Sequence, residues 1–405
     1  MTGDYPAPDD PAGLAERYGA PNYAPLPVTL AHAEGVWAWD IEGRCYLDCL
    51  AAYSALNHGH RHPRILAALT EQAERLTLTG RAFHTDRLGP FLKKLCETAG
   101  AEMALPVNTG AEAVETAVKA ARRWGHQARG IPDGRAEIVV ARGAFHGRTL
   151  AAVSASTDAE ARAWFGPYAP GFVNVPFGDA AALQAAITPN TAAVMLEPIQ
   201  GEGGIVVPPD GYLEAVRAAC DRHGALFIAD EIQTGLGRTG RLLCHQHEAA
   251  VPDLVQLGKA LGGGVYPVSA VAGSADVLGR LGPGSHGSTL GGNPLACAVG
   301  EAALDVLADQ DLPGRSARLG ERLMAGLRAV RSDRIVEVRG RALMVGIELD
   351  TPARPVCEAL LEHGVLCKDT RETVIRLTPP LVIGEAEIDW LIEQVDAVLG
   401  SSQLH

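Results

Sequence analysis

The sequence predicts an α/β protein: a largely parallel sheet covered by helices on both faces, followed by a smaller α+β region. Two observations carry this. Short β-rich runs at 137–140, 192–196 and 225–229 alternate with apolar helical stretches at 111–124 and 212–223, the pattern of parallel strands joined by crossover helices. After Pro294 the pattern changes: a helix over 295–308 leads into an amphipathic helix at 316–330, a strand at 344–349 and a last helix at 385–399. Sheets of the first kind bind ligands beyond the carboxyl ends of their strands.

The expected organisation is an N-terminal arm and hairpin over 1–50, a large α/β domain over 51–294, and a linking helix with a small α+β domain over 295–405. Polar, Pro-rich residues 1–21 read as an irregular arm that reaches over a neighbour. Alternation through Trp37-Ala38-Trp39 and Cys45-Tyr46-Leu47 about Glu42-Gly43 predicts the hairpin. At 405 residues, 47% hydrophobic and 20% charged, the chain is ordinary globular material able to bury a large core. Its 35 basic and 48 acidic residues give a net charge of −13; without a Lys/Arg run, this argues against nucleic acid or anionic lipid as partner. Eight cysteines without a C-x-x-C pair read as buried thiols of a reducing compartment. The first residues lack the character of a secretory or organelle signal, and no apolar run reaches membrane-spanning length. The expected location is the cytoplasm.

Three segments carry chemistry. In Phe227-Ile228-Ala229-Asp230-Glu231 a strand ends in two carboxylates. One of them is placed to hold a protonated cofactor ring nitrogen; alternatively, one caps the next helix and the other is solvated. Lys259 lies in the apolar, glycine-rich Leu257-Gly258-Lys259-Ala260-Leu261-Gly262-Gly263-Gly264, where desolvation makes an amine nucleophile for an aldehyde unless the head snorkels to water. In Asn108-Thr109-Gly110-Ala111-Glu112, Thr109 and Glu112 fit a capping box, and the amides at Gly110 and Ala111 suit a phosphate as well as a plain helix start.

Three further patterns lead elsewhere. Gly235-Leu236-Gly237-Arg238-Thr239-Gly240 matches a dinucleotide fingerprint, but no helical stripe follows it. Gly258-Lys259 lacks the hydroxyl residue and first glycine of a phosphate loop. His58, His60 and His62 alternate without an adjoining acid or cysteine cluster, and Gly59 and Pro63 argue for a turn rather than a metal site.

In order along the chain, the phosphate-cradle helix, the aspartate, the lysine and Gly287-Ser288-Thr289-Leu290-Gly291-Gly292-Asn293-Pro294 resemble the class III aminotransferases dependent on pyridoxal phosphate. The resemblance runs from about Tyr18 to the last helix and implies fold-type I architecture. Within the class, 18–27, Ala52-Tyr53-Ser54-Ala55-Leu56-Asn57 and Leu76-Thr77-Leu78-Thr79 are most similar to the ornithine-directed branch. Gly203 departs from the alanine common there, and Leu290 from the usual aromatic.

The resemblance implies that Lys259 bonds the cofactor aldehyde and carries protons, Asp230 pairs with the ring nitrogen, Phe145 stacks on the ring and Gln233 bonds its phenolic oxygen. Further cofactor contacts are implied at Thr109, Gly110, Ala111, His146, Ile232 and Ser288, with Thr289 arriving from a partner subunit of a homodimer or larger homo-oligomer. Tyr23 and Arg148 would hold the α-amino and α-carboxylate groups of L-ornithine beside Tyr53. Arg376 would bind the carboxylate of 2-oxoglutarate and be neutralised by Glu202 during the ornithine half. No metal is implied. The alternatives are an aminotransferase for acetylornithine or another ω-amino acid such as 4-aminobutyrate, a mutase or decarboxylase on the same fold, and a non-enzymatic binder with an idle Lys259.

Overall fold

The computed structural model describes residues 10–400. Seven strands form the central sheet, in the order Met103–Val107, Ser269–Gly273, Leu254–Leu257, Leu226–Asp230, Thr191–Leu196, Glu137–Ala141 and Phe172–Val175. Ser269–Gly273 alone runs antiparallel to both neighbours; the pairings from Leu254–Leu257 outward are parallel. Side-chain alternation explains the two-sided burial. Ile138, Val140, Met195 and Ile228 pack with Val114, Ala117, Val118 and Ala121 of the helix Gly110–Ala128. Val139, Val194, Phe227 and Ala229 pack on the other face with Leu213 and Val216 of the helix Tyr212–His223.

A C-terminal sheet of four strands runs in the order Ile335–Arg341, Met344–Leu349, Val374–Leu377 and Lys368–Thr370, antiparallel throughout. The hairpin Trp37–Asp40/Cys45–Asp48 forms as expected, flanked by Leu30–Glu34 and, in parallel, by Val365–Leu366. The helices Pro294–Asp309, Leu312–Ala329 and Glu385–Leu399 match the three expected after Pro294. Their apolar faces join one core with Val36, Leu47, Ile65, Phe91, Leu257 and Val345.

The irregular arm is corrected by the structure. Positions 1–9 lie outside the described residues, but Pro11–Tyr18 is a helix whose N-cap, Asp10, accepts a hydrogen bond from Gly13 N at 3.0 Å. Proline at the first helical position has no amide to leave unpaired, so Asp-Pro is a start signal that outweighs the polar composition. No helix among the described residues is long and apolar enough to cross a membrane. Six cysteines are buried, Cys96 is partly exposed and Cys45 exposed.

Candidate active site

The carboxyl end of the Leu226–Asp230 strand delivers Asp230 into the interior, 3% exposed. His146 Nδ1 donates to its Oδ2 at 2.7 Å and Ile232 N to its Oδ1 at 3.2 Å. Burial alone would make His146 harder to protonate; the bond to Asp230 and its charge reverse that and raise its pKa. His146 Nε2 is buried without a partner. Glu231, next in the chain, turns away and is saturated by Thr234 Oγ1, Cys244 N, His245 N and His245 Nδ1 at 2.7 to 3.0 Å. Neither acid is therefore a solvated cap.

Lys259 follows the strand Leu254–Leu257 and opens a short 3₁₀ turn with φ +41°, a left-handed conformation that costs a side-chain-bearing residue energy. Burial pushes its amine below the usual lysine range; Glu202, Asp230 and Glu197 act the other way, and Arg376 adds to the lowering. Thr109 Oγ1 accepts from Glu112 N at 3.2 Å while Glu112 Oε2 accepts from Thr109 N at 3.0 Å, so the capping box forms. Gly110 and Ala111 thus begin a nineteen-residue helix, and first-turn amides have no intrahelical acceptor. A methyl at Gly110 would sit 3.1 Å from Ile232 Cγ2, and one at Gly258 would sit 3.4 Å from the same atom. Ile232 therefore packs between the phosphate-type helix start and the lysine turn.

Arg376 is 1% exposed and donates through Nη1 to Glu202 Oε1, with its guanidinium carbon 4.8 Å from the centre of the Tyr53 ring. Burial alone would raise the Glu202 pKa, but Arg376 and Lys259 hold it below the ordinary carboxylate value. Gln233 Nε2 reaches Glu202 Oε1 at 3.3 Å and Tyr53 O at 3.5 Å; Gln233 Oε1 is buried and unpartnered. Tyr53 lies in a run, Ala51 to Ser54, in which every residue has φ between +46° and +74°. That run is held by Asp48 Oδ1, which accepts from Leu50 N and Ala51 N at 3.0 and 2.8 Å. Arg148 is exposed and lies over the Phe145 ring at 5.3 Å. Both line a cavity of about 370 Å³ with His146, Glu202 and Arg371. Tyr23 is 76% exposed and close enough to Tyr53 to act on its pKa, which burial raises.

The aminotransferase class-III family pattern matches residues 18–399. The chain belongs to the class-III aminotransferases. It is 56% identical over 385 residues to a curated relative, the ornithine aminotransferase of Macrococcus caseolyticus, covering 95% of this chain and 97% of that one. The solved ornithine aminotransferase of Toxoplasma gondii superposes with a TM-score of 0.94 at 45% identity, covering 96% of this chain and 94% of that one. An acetylornithine aminotransferase from Elizabethkingia anophelis superposes with a TM-score of 0.87 at 44% identity, covering 96% and 97%.

Class-III aminotransferases work with pyridoxal phosphate, and the residues here fit it. A buried carboxylate backed by a histidine, a lysine of lowered pKa, and a helix start kept bare by Gly110 are suited to partner its ring nitrogen, aldehyde and phosphate. The unpartnered Gln233 Oε1 and His146 Nε2 are buried polar atoms of the kind a polar ligand or ordered water satisfies. Ser288 Oγ accepts from Asn108 Nδ2 at 2.9 Å and so lies at the same helix start. Thr289 is exposed and lines a small crevice with Thr79, Arg81 and Phe83.

Glu197 is a site residue the sequence reading missed. It directly follows the strand Thr191–Leu196, level with Asp230 on the neighbouring strand because Leu196 pairs with Ala229, and a carboxylate just past a β-run was the available signal. Its carboxyl accepts from Phe145 N at 2.9 Å and Gly201 N at 3.1 Å, tying the Phe145 loop to the Glu202 turn. Burial raises its pKa to about 7. Gly203 also has a local reason: a methyl there would meet Gln200 Cβ at 2.9 Å and Gly143 O at 3.1 Å. The three alternating histidines diverge, His58 to Ala303 O, His60 to Asp48 and His62 to Gln310.

Proposed function

We propose that this aminotransferase moves the δ-amino group of L-ornithine to 2-oxoglutarate, giving glutamate 5-semialdehyde, which cyclises to pyrroline-5-carboxylate, and glutamate. The observation that carries the reading is the buried Glu202–Arg376 pair beside Lys259. Ornithine presents an amine on an uncharged arm, while 2-oxoglutarate brings a carboxylate to the same space. An arginine that is neutralised for one and released for the other accommodates both.

Bound pyridoxal phosphate supplies an aldehyde that accepts the amino group and a ring that withdraws electrons from the carbon losing its proton. Asp230, backed by His146, would pair with the ring nitrogen. Lys259 Nζ, unprotonated more readily than an ordinary lysine, would take the proton from the amine-bearing carbon and hand it to the carbon of the cofactor's aldehyde group. Phe145 would cover one face of the ring, and Thr109, Gly110, Ala111 and Ser288 would hold the phosphate. Tyr23 and Arg148 grip the α-amino and α-carboxylate groups with Tyr53 beside them, and a free amine suits the tyrosine hydroxyls better than a blocked one.

We also propose the division at 50 and 294, a cytoplasmic location, and a homodimer in which Thr289 of each subunit completes the other's site. The exposed Leu78, Phe83 and Leu290 support an apolar contact around that threonine. Mixing the purified holoenzyme with L-ornithine or N-acetylornithine, without keto acid, tests the substrate. Ornithine should bleach the cofactor band at low concentration and 2-oxoglutarate should restore it; preference for the acetylated compound would replace this reading with the acetylornithine one.

A further inference from the structure

The turn that carries Glu202 is closed by mutual hydrogen bonds between Gln200 and Val206 and lies on the C-terminal sheet. In that sheet Arg339, Gly346 and Arg376 stand directly opposite one another on three adjacent strands, and residues in such a row share a face. The turn meets this row at three points. Arg376 bonds the Glu202 carboxylate. Ile205 lies over Gly346, where a methyl would come within 3.1 Å of its Cβ. Arg339 donates both Nε, at 3.0 Å, and Nη2, at 2.8 Å, to Gly204 O. Its remaining nitrogen, Nη1, is held by Glu337 and Glu348, and its side chain is 16% exposed.

Gly204 has φ +105°, open to glycine alone, and the β-branched Ile205 has φ +54°, a conformation that persists only where the surroundings hold it. We propose that Arg339 is a positioning residue for the exchange between half-reactions: it fixes the backbone of the 200–206 turn so that release of Arg376 moves the Glu202 side chain alone. Thr370 Oγ1, donating to Glu202 O at 2.8 Å, clamps the same backbone from a fourth strand. The inference rests on the Glu202–Arg376 reading above. With Arg339 in place, Glu202 returns to Arg376 each time the keto acid leaves. Without it, the turn drifts and Arg376 stays charged and uncompensated when ornithine binds.

The test uses the full-length holoenzyme and follows each half-reaction separately by the cofactor's absorption. Arg339→Met should raise the ornithine concentration needed for half-maximal rate about tenfold, the scale of losing a charge-assisted hydrogen bond, while the 2-oxoglutarate value stays within about twofold. Arg339→Lys, which keeps the charge but not the fork, should fall between; if Arg339→Met does not fold, the lysine variant decides by the same criterion. Adding Arg339→Met to Glu202→Ala should bring no further shift in the ratio of the two values. Equal changes in both half-reactions, or none, would overturn the proposal. If Glu202→Ala itself leaves the ratio unchanged, the reading it rests on fails; if Glu202→Ala shifts the ratio and Arg339→Met does not, only the role of Arg339 fails.

Discussion

Arg238 and Arg376 are the two largest fully buried side chains among the described residues, and they are satisfied in opposite ways. Arg238 sits in the segment that mimics a dinucleotide fingerprint. It donates to Leu343 O at 2.9 Å, Pro379 O at 2.7 Å and Asn57 Oδ1 at 2.6 Å, three neutral acceptors from three distant parts of the chain. Burial pushes its pKa down, and Asp48 opposes that through charge alone. Arg376 has one hydrogen-bond partner, Glu202, which is itself partly exposed and also reached by Gln233. A guanidinium locked by fixed carbonyls can do nothing but join elements. One held by a single movable carboxylate can exchange it for a ligand's.

Substitution should separate the two roles. The largest effect on stability is expected from Arg238→Met, which strands three buried acceptors: a loss of about 3–5 kcal/mol in the urea unfolding free energy. Arg376→Met should cost less, about 1–2 kcal/mol, because the Glu202 carboxylate it leaves behind is partly exposed and can rehydrate, yet lower kcat/KM for 2-oxoglutarate at least about a hundredfold. Equal stability losses in the two variants would break the contrast. Glu202→Gln should be milder and selective, raising KM for ornithine about tenfold and leaving that for 2-oxoglutarate unchanged or lower.

The smallest expected effect is one of pH. Glu197, with a pKa raised to about 7, keeps its proton in the folded state where an unfolded glutamate, at 4.5, has lost it. Stability from this group is therefore present at low pH and is lost as pH rises from about 4.5 to 7. The raised pKa of His146 acts with the same sign. Glu197→Gln should flatten, without abolishing, the fall in urea midpoint over that interval; an unchanged slope would mean that Glu197 does not titrate there.

Much of this was legible in the sequence because local rules govern it. The strand–helix alternation, the capping box at Thr109 and the desolvated lysine each depend on a few neighbouring residues, and each appears where expected. The helix at Pro11–Tyr18 had its Asp-Pro start in plain view, but polar composition masked it. Arg339 could not have been found in this way. Its grip on Gly204 depends on the register that sets it opposite Gly346 and Arg376, and Val338-Arg339-Gly340-Arg341 by itself reads as an ordinary charged strand. Nor does Ala-Ala-Tyr-Ser announce four successive positive-φ residues.

That left-handed run bears on how the protein could change. Ala52, at φ +46° and ψ +47°, is exposed, so its methyl brings the strain with little buried area to offset it. Glycine there would relieve about 1 kcal/mol net of its extra freedom in the unfolded chain. The genetic code places glycine a single base away from every alanine codon, so a more heat-resistant protein lies one mutational step off. The same step would loosen the backbone that aims Tyr53, and selection for heat resistance at this position would trade against precision at the site.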